Sequence, residues 1–183
     1  MSKNVFQFTG LSGVGKSTLS AAVSEKLMAK GYQVTVLDGD ELRKTISADL
    51  GFSEEDRLAH LTRVAQLATS INTDVILIAV INPYEKGRQV FRDYANAKLI
   101  WLRCGLAELK KRDTKGLYHR AYLPDGHPDK LTNLTGVNAP FEKPMEPDLV
   151  IDTDHFNITD ASAEIGSYIL KEMLVQQRFT ETI

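Results

Sequence analysis

The chain has 183 residues, 43% hydrophobic and 25% charged, a balance that fits one domain with a proper core and argues against a disordered or fibrous chain. Its formal net charge of −2 gives no electrostatic footing for a nucleic-acid or acidic-membrane partner, and a single cysteine, Cys104, rules out an internal disulfide. Residues 1–9 lack the pattern of a secretory leader and the longest apolar stretch, Val75 to Ile81, is too short to span a bilayer, so the expectation is one cytoplasmic domain over residues 1–183.

Strand-length apolar runs fall at 4–9, 33–37, 75–80, 98–103 and 148–152. Helix-length segments fall between them, at 15–30, 40–48, 54–72, 84–95, 105–112 and 160–177. Near-continuous apolar strands suit a parallel sheet covered on both faces. The alternation predicts an α/β fold, doubly wound around a mostly parallel sheet, with ligands bound past the carboxyl ends of the strands.

The first strand runs into Gly10-Leu11-Ser12-Gly13-Val14-Gly15-Lys16-Ser17, which matches G-x-x-x-x-G-K-[ST] at every fixed position in the strand–loop–helix setting that pattern requires. Glycines let consecutive N–H groups curl around phosphate oxygens, and the helix N-terminus adds its positive dipole end. Lys16 is expected at the β- and γ-phosphates and Ser17 at Mg²⁺. Gly10, Ser12, Gly13, Val14, Gly15 and Thr18 complete the expected ATP cradle.

After the second strand come Asp38-Gly39-Asp40 and Arg43. Two carboxylates beside a phosphate-binding loop can serve Mg²⁺ and position a nucleophile; either can also cap the next helix. After the third strand Pro83 is placed to open a helix, and Lys86, Arg88 and Arg92 read as a solvated face. Residues 113–147 lack periodicity and hold five of the six prolines. A loop this long beside a phosphate site predicts a lid over about 114–146, and Lys115, His119, Arg120, His127 and Lys130 make it basic.

Taken together, several blocks resemble the adenylylsulfate (APS) kinase family. They are the phosphate loop, Leu37-Asp38-Gly39-Asp40 with Arg43, Asp49-Leu50-Gly51-Phe52-Ser53 with Asp56-Arg57, Arg112-Asp113 with Lys115-Gly116-Leu117-Tyr118, and Thr135-Gly136 with Pro140 and Glu142. The resemblance runs from about residue 5 to 153. It implies transfer of the ATP γ-phosphoryl group to the 3′-hydroxyl of adenosine 5′-phosphosulfate, with Mg²⁺, in a homodimer.

Carried over residue by residue, the resemblance gives Asp40 the acceptor hydroxyl and metal, and Asp38 the metal shell. Arg112 lies against the ATP adenine. Arg43 and Arg57 hold the acceptor's phosphosulfate, Phe52 stacks on its base, and Lys115 closes over it. Asn82 stands where the family has serine, His60 where it has asparagine, and Leu134 where it has the aromatic opposite Phe52; Asn138 and Phe141 also depart. With His60, Ile81 and Leu134 counted on the acceptor side, these departures leave the donor side intact. Losing one stacking face removes roughly 1–3 kcal/mol. A kinase of another nucleotide, such as cytidine diphosphoramidate, is the alternative acceptor reading. A guanine-nucleotide switch lacks its N-K-x-D motif here, and a non-catalytic nucleotide-binding module is at odds with Lys16, Ser17, Asp38 and Asp40.

Overall fold

A computed structural model describes residues 3–113 and 115–180, the last four of these in backbone only. Thr114, where the expected lid begins, and residues 1–2 and 181–183 of the expected domain lie outside the described residues.

The strands are β1 (Asn4–Thr9), β2 (Val34–Asp38), β3 (Val75–Ala79), β4 (Lys98–Arg103) and β5 (Leu149–Asp152). They form one parallel sheet in the order β2-β3-β1-β4-β5. The chain therefore leaves β1 for a strand on one side and later returns to its other side, so the carboxyl end of β1 is the topological switch point.

The helices are α1 (Lys16–Met28), α2 (Gly39–Lys44), α3 (Glu54–Ser70), α4 (Glu85–Ala95), α5 (Leu106–Arg112), α6 (Leu117–Ala121) and α7 (Ile158–Thr180). Successive strand residues point to opposite faces. Phe6, Phe8, Val75 and Leu77 accordingly join Leu19, Val23, Ile165 and Ile169 in one core, under α1 and α7. Val5, Ile76 and Ile78 join Leu61, Val64, Ala68 and Phe91 in the other, under α3 and α4. Both faces are buried, which is why the strands read as unbroken apolar runs.

Four local expectations are corrected. The helix expected over 40–48 ends at Lys44, where Thr45 leaves helical geometry (φ −115°, ψ −91°) and turns its hydroxyl back to the Glu41 carbonyl. Pro83 does not open α4: Asn82 sits at φ 42°, Tyr84 is extended, and the helix begins at Glu85. Arg88 is not on a solvated face but 1% exposed, paired with Glu85 at 2.8 Å and donating to the Glu142 carbonyl. α7 starts earlier than expected, because Asn157 accepts from the Asp160 N–H at 2.9 Å and donates to its carboxylate at 2.8 Å.

The segment expected to be structureless contains α6, entered through Gly116 in the left-handed region (φ 63°). It is tied to the body at several points. The Tyr118 hydroxyl donates to the Ser12 carbonyl at 2.8 Å, Glu85 N–H donates to the Glu142 carboxylate at 2.6 Å, and Glu142 N–H donates to the Pro83 carbonyl at 2.8 Å.

Candidate active site

A cavity of about 1110 Å³ lies across the carboxyl ends of β1, β2 and β3. That exceeds what one drug-sized ligand needs and suits two substrates side by side. One wall is the phosphate loop and the start of α1. Gly10 (φ 148°) shapes the loop without lining the cavity, because a Cβ there would sit 2.4 Å from the Leu102 carbonyl oxygen. Gly15 (φ 99°) precedes α1, and no side chain caps the helix. Its first N–H groups therefore face the cavity wall without a protein acceptor, the arrangement that receives phosphate.

Ser12, Gly13, Val14, Gly15, Lys16, Ser17 and Thr18 all line this wall. The Lys16 ammonium donates to the Gly10 and Leu11 carbonyls at 2.8 and 2.9 Å. Burial lowers its pKa to about 8; Lys115 pushes the same way, and Asp40 and Asp38 oppose. Anion binding favours the charged form. Nucleotide affinity should thus be flat below pH 8 and fall about tenfold per pH unit above it, with about one proton taken up on binding. Calorimetry in two buffers of different ionisation enthalpy checks this: no proton uptake at pH 9 would reject it.

The opposite wall begins at Asp38-Gly39-Asp40. Asp38 caps α2, as the sequence allowed, and also meets the phosphate loop. One carboxylate oxygen caps α2, accepting from the N–H groups of Asp40 at 2.8 Å and Glu41 at 3.4 Å, and the other accepts from the Ser17 hydroxyl at 2.5 Å. Asp40 is paired with Lys115 at 2.6 Å. Burial would raise its pKa, but the hydrogen bond and charge of Lys115, with Lys16 and Lys44, hold it below the usual carboxylate range. Ser17, Asp38 and Asp40 thus present hydroxyl and carboxylate oxygens at the end of the phosphate loop, a hard-donor set that fits Mg²⁺.

Farther along, Phe52 is 58% exposed with two guanidinium groups against its ring, Arg43 at 4.9 Å and Arg57 at 5.7 Å from the centroid. Arg43 donates to the Gly51 carbonyl at 2.6 Å. Arg57 donates to the Phe52 carbonyl at 3.0 Å, the Thr135 hydroxyl at 3.1 Å and the Asn133 carbonyl at 3.1 Å. His60 and Ile81 line the same region, and so does Asn82, whose buried carboxamide has no partner among the described residues. Burial, then Arg43 and Arg63, push the His60 pKa down to about 4, so it is neutral at physiological pH.

Arg112 lines the end of the cavity beside β5, donating to the Thr153 carbonyl at 2.7 Å and the Glu108 carboxylate at 3.2 Å. Leu134 does not join the site: it is 4% exposed within the core cluster of Leu109 and Tyr118, and the cavity wall does not include it. Its backbone is pinned there, its N–H donating to the Asn138 side chain at 2.7 Å. Phe156, Asn157 and Ile158 line the cavity and were not read from the sequence. They follow the carboxyl end of β5, so the same strand-end rule that singled out Asp38 would have found them.

Comparison with known proteins agrees with this geometry. A family model described as adenylylsulphate kinase matches residues 2–152. An adenylyl-sulfate kinase of Pseudomonas entomophila is 37% identical over 93% of this chain and 82% of its own length. A probable adenylyl-sulfate kinase of Halalkalibacterium halodurans is 39% identical over 90% and 82%. Among solved structures, the APS kinase of Mycobacterium tuberculosis, in complex with AMPPNP and APS, superposes with a TM-score of 0.83 at 32% identity, covering 92% of this chain and 97% of that one. A gluconokinase from Sinorhizobium meliloti, 18% identical with a TM-score of 0.66, shares the fold. No helix among the described residues is long and apolar enough to cross a membrane. With a family match over most of its length and relatives above one-third identity, the chain belongs to the adenylylsulphate kinase family.

Proposed function

We propose that the chain phosphorylates the 3′-hydroxyl of adenosine 5′-phosphosulfate with ATP, giving 3′-phosphoadenosine 5′-phosphosulfate. One observation carries the reading beyond family membership. A single cavity joins an uncapped phosphate-loop helix to a carboxylate, Asp40, and to an aromatic ring flanked by two arginines. A donor and an acceptor nucleotide each need such a wall.

In this reading the loop N–H groups and Lys16 hold the β- and γ-phosphates, and Arg112 meets the adenine of ATP. Phe52 supplies a stacking face to the acceptor base, and Arg43 and Arg57 offer planar forks to its phosphosulfate oxygens. Asp40 accepts the hydrogen bond of the acceptor hydroxyl and turns its oxygen toward the γ-phosphorus. Mg²⁺ bound by Ser17, Asp38 and Asp40 would neutralise phosphate charge. Phosphoryl transfer asks mainly for this positioning and charge neutralisation, so the absence of a serine at Asn82 takes nothing from an in-line transfer.

The segment after Thr114, to about residue 146, acts as a lid in this reading. Its contacts to Ser12, Asp40 and Arg57 reach both walls, which supports a role in covering both substrates. The functional unit is a homodimer and the location cytoplasmic. A coupled assay for ADP release should show turnover with APS at micromolar to millimolar concentration and none with cytidine diphosphoramidate. Turnover of the cytidine nucleotide alone would replace the acceptor while leaving the donor site in place.

A further inference from the structure

His60 lies on α3 and Ser47 in the connection from α2, and their side chains are 2.9 Å apart, Nδ1 to Oγ. Ser47 is fully buried and His60 is 4% exposed. The contact decides where the imidazole proton sits. The Ser47 hydroxyl has no other hydrogen-bond partner among the described residues. A buried hydroxyl left without an acceptor costs more than one whose spare lone pair is unused, so it donates to Nδ1. Nδ1 is then the unprotonated nitrogen, and the proton of the neutral ring is on Nε2. Nε2 hydrogen-bonds to no described residue and is not one of the sealed, unpartnered polar atoms, so it opens on the cavity that His60 lines.

We propose that Ser47 is a positioning residue that locks His60 as a single N–H donor on the acceptor side of the cavity, so that the acceptor base is recognised there through a ring-nitrogen or carbonyl lone pair and not through an amino group. The inference rests on the acceptor side lying along Phe52, Arg43 and His60. The neighbours that face His60 agree with it. Arg43 and Arg63 disfavour a second proton on the ring, and Asp40 only partly offsets them. Arg43 and Arg57 are charged and engaged with carbonyls and the Phe52 ring, and the Asn82 carboxamide in the same wall can accept as well as donate, so among these side chains the locked His60 ring is the one that offers an N–H donor alone.

The test joins a spectroscopic and a kinetic readout on the full chain. Two-bond ¹H–¹⁵N correlation spectra of the labelled wild type at pH 7 should show His60 protonated on Nε2. Ser47→Ala should give mixed tautomers and raise KM for APS about tenfold, the size of one lost or misdirected hydrogen bond, with a smaller change in kcat and in KM for ATP. Ser47→Thr, which keeps the hydroxyl, should restore both the tautomer and KM. A proton on Nδ1 in the wild type overturns the proposal even if Ser47→Ala fails to fold, and so does an unchanged KM in a folded Ser47→Ala. Failure of the wild type to phosphorylate APS would overturn the kinase reading instead, and the tautomer spectrum would still decide this one.

Discussion

Lys16→Ala is expected to lower kcat about 10³-fold, the scale of losing one charge partner of a transferring phosphoryl group. The ammonium is anchored from below by the carbonyls of Gly10 and Leu11, which aim it along the loop where β- and γ-phosphates would lie. Truncation removes the charge and strands two carbonyls, whereas the loop N–H groups and the uncapped start of α1 stay in place. ATP binding should therefore weaken less than turnover falls. Turnover and nucleotide titration on one preparation, with a thermal melt to show that the chain is folded, make the check. Near-normal turnover would sink the donor-site assignment.

Asp40→Asn should cut kcat by about 10²–10⁴ while ATP still binds. The substitution keeps the shape and takes away the charge. Helix α2 does not depend on it, because the cap comes from Asp38. Asp40 is held ionised by Lys115, Lys16 and Lys44, which makes it a strong hydrogen-bond acceptor and a weak base. In the proposed reaction its main contribution is therefore orientation of the acceptor hydroxyl. An amide accepts more weakly and, turned the wrong way, offers a donor where an acceptor is needed. Turnover equal to wild type would leave Asp40 as no more than an acidic residue at the start of a helix.

The parts of the fold legible in the sequence are those set by local periodicity and by glycine. Five strands were readable because both faces of the sheet are buried, and the phosphate loop because its geometry allows few residue types. What was not legible depended on distant partners. Arg88 looks like one of three surface cations on a helix, and its burial is made tolerable by the Glu85 carboxylate together with the Glu142 carbonyl, 54 residues away. Helix α6 is five residues long, too short for a period to register, and it owes its place to Tyr118 reaching Ser12. Leu134 was placed against the acceptor base by resemblance alone. As an aliphatic side chain it packs into the core beside Tyr118, away from the cavity that Phe52 lines.

Arg57 ties the roof of the cavity to its floor, through Thr135 and Asn133 above and the Phe52 carbonyl beside it. An arriving acceptor that recruits this guanidinium must exchange neutral oxygens for its own. Phosphate and sulfate oxygens carry charge and make stronger bonds than the ones they displace, so the exchange runs forward. A bare nucleoside brings no such oxygens, and disturbing Arg57 would leave buried donors without partners. In the proposed reaction the contact sets a threshold that an anionic tail clears and an uncharged look-alike does not, before any base is read.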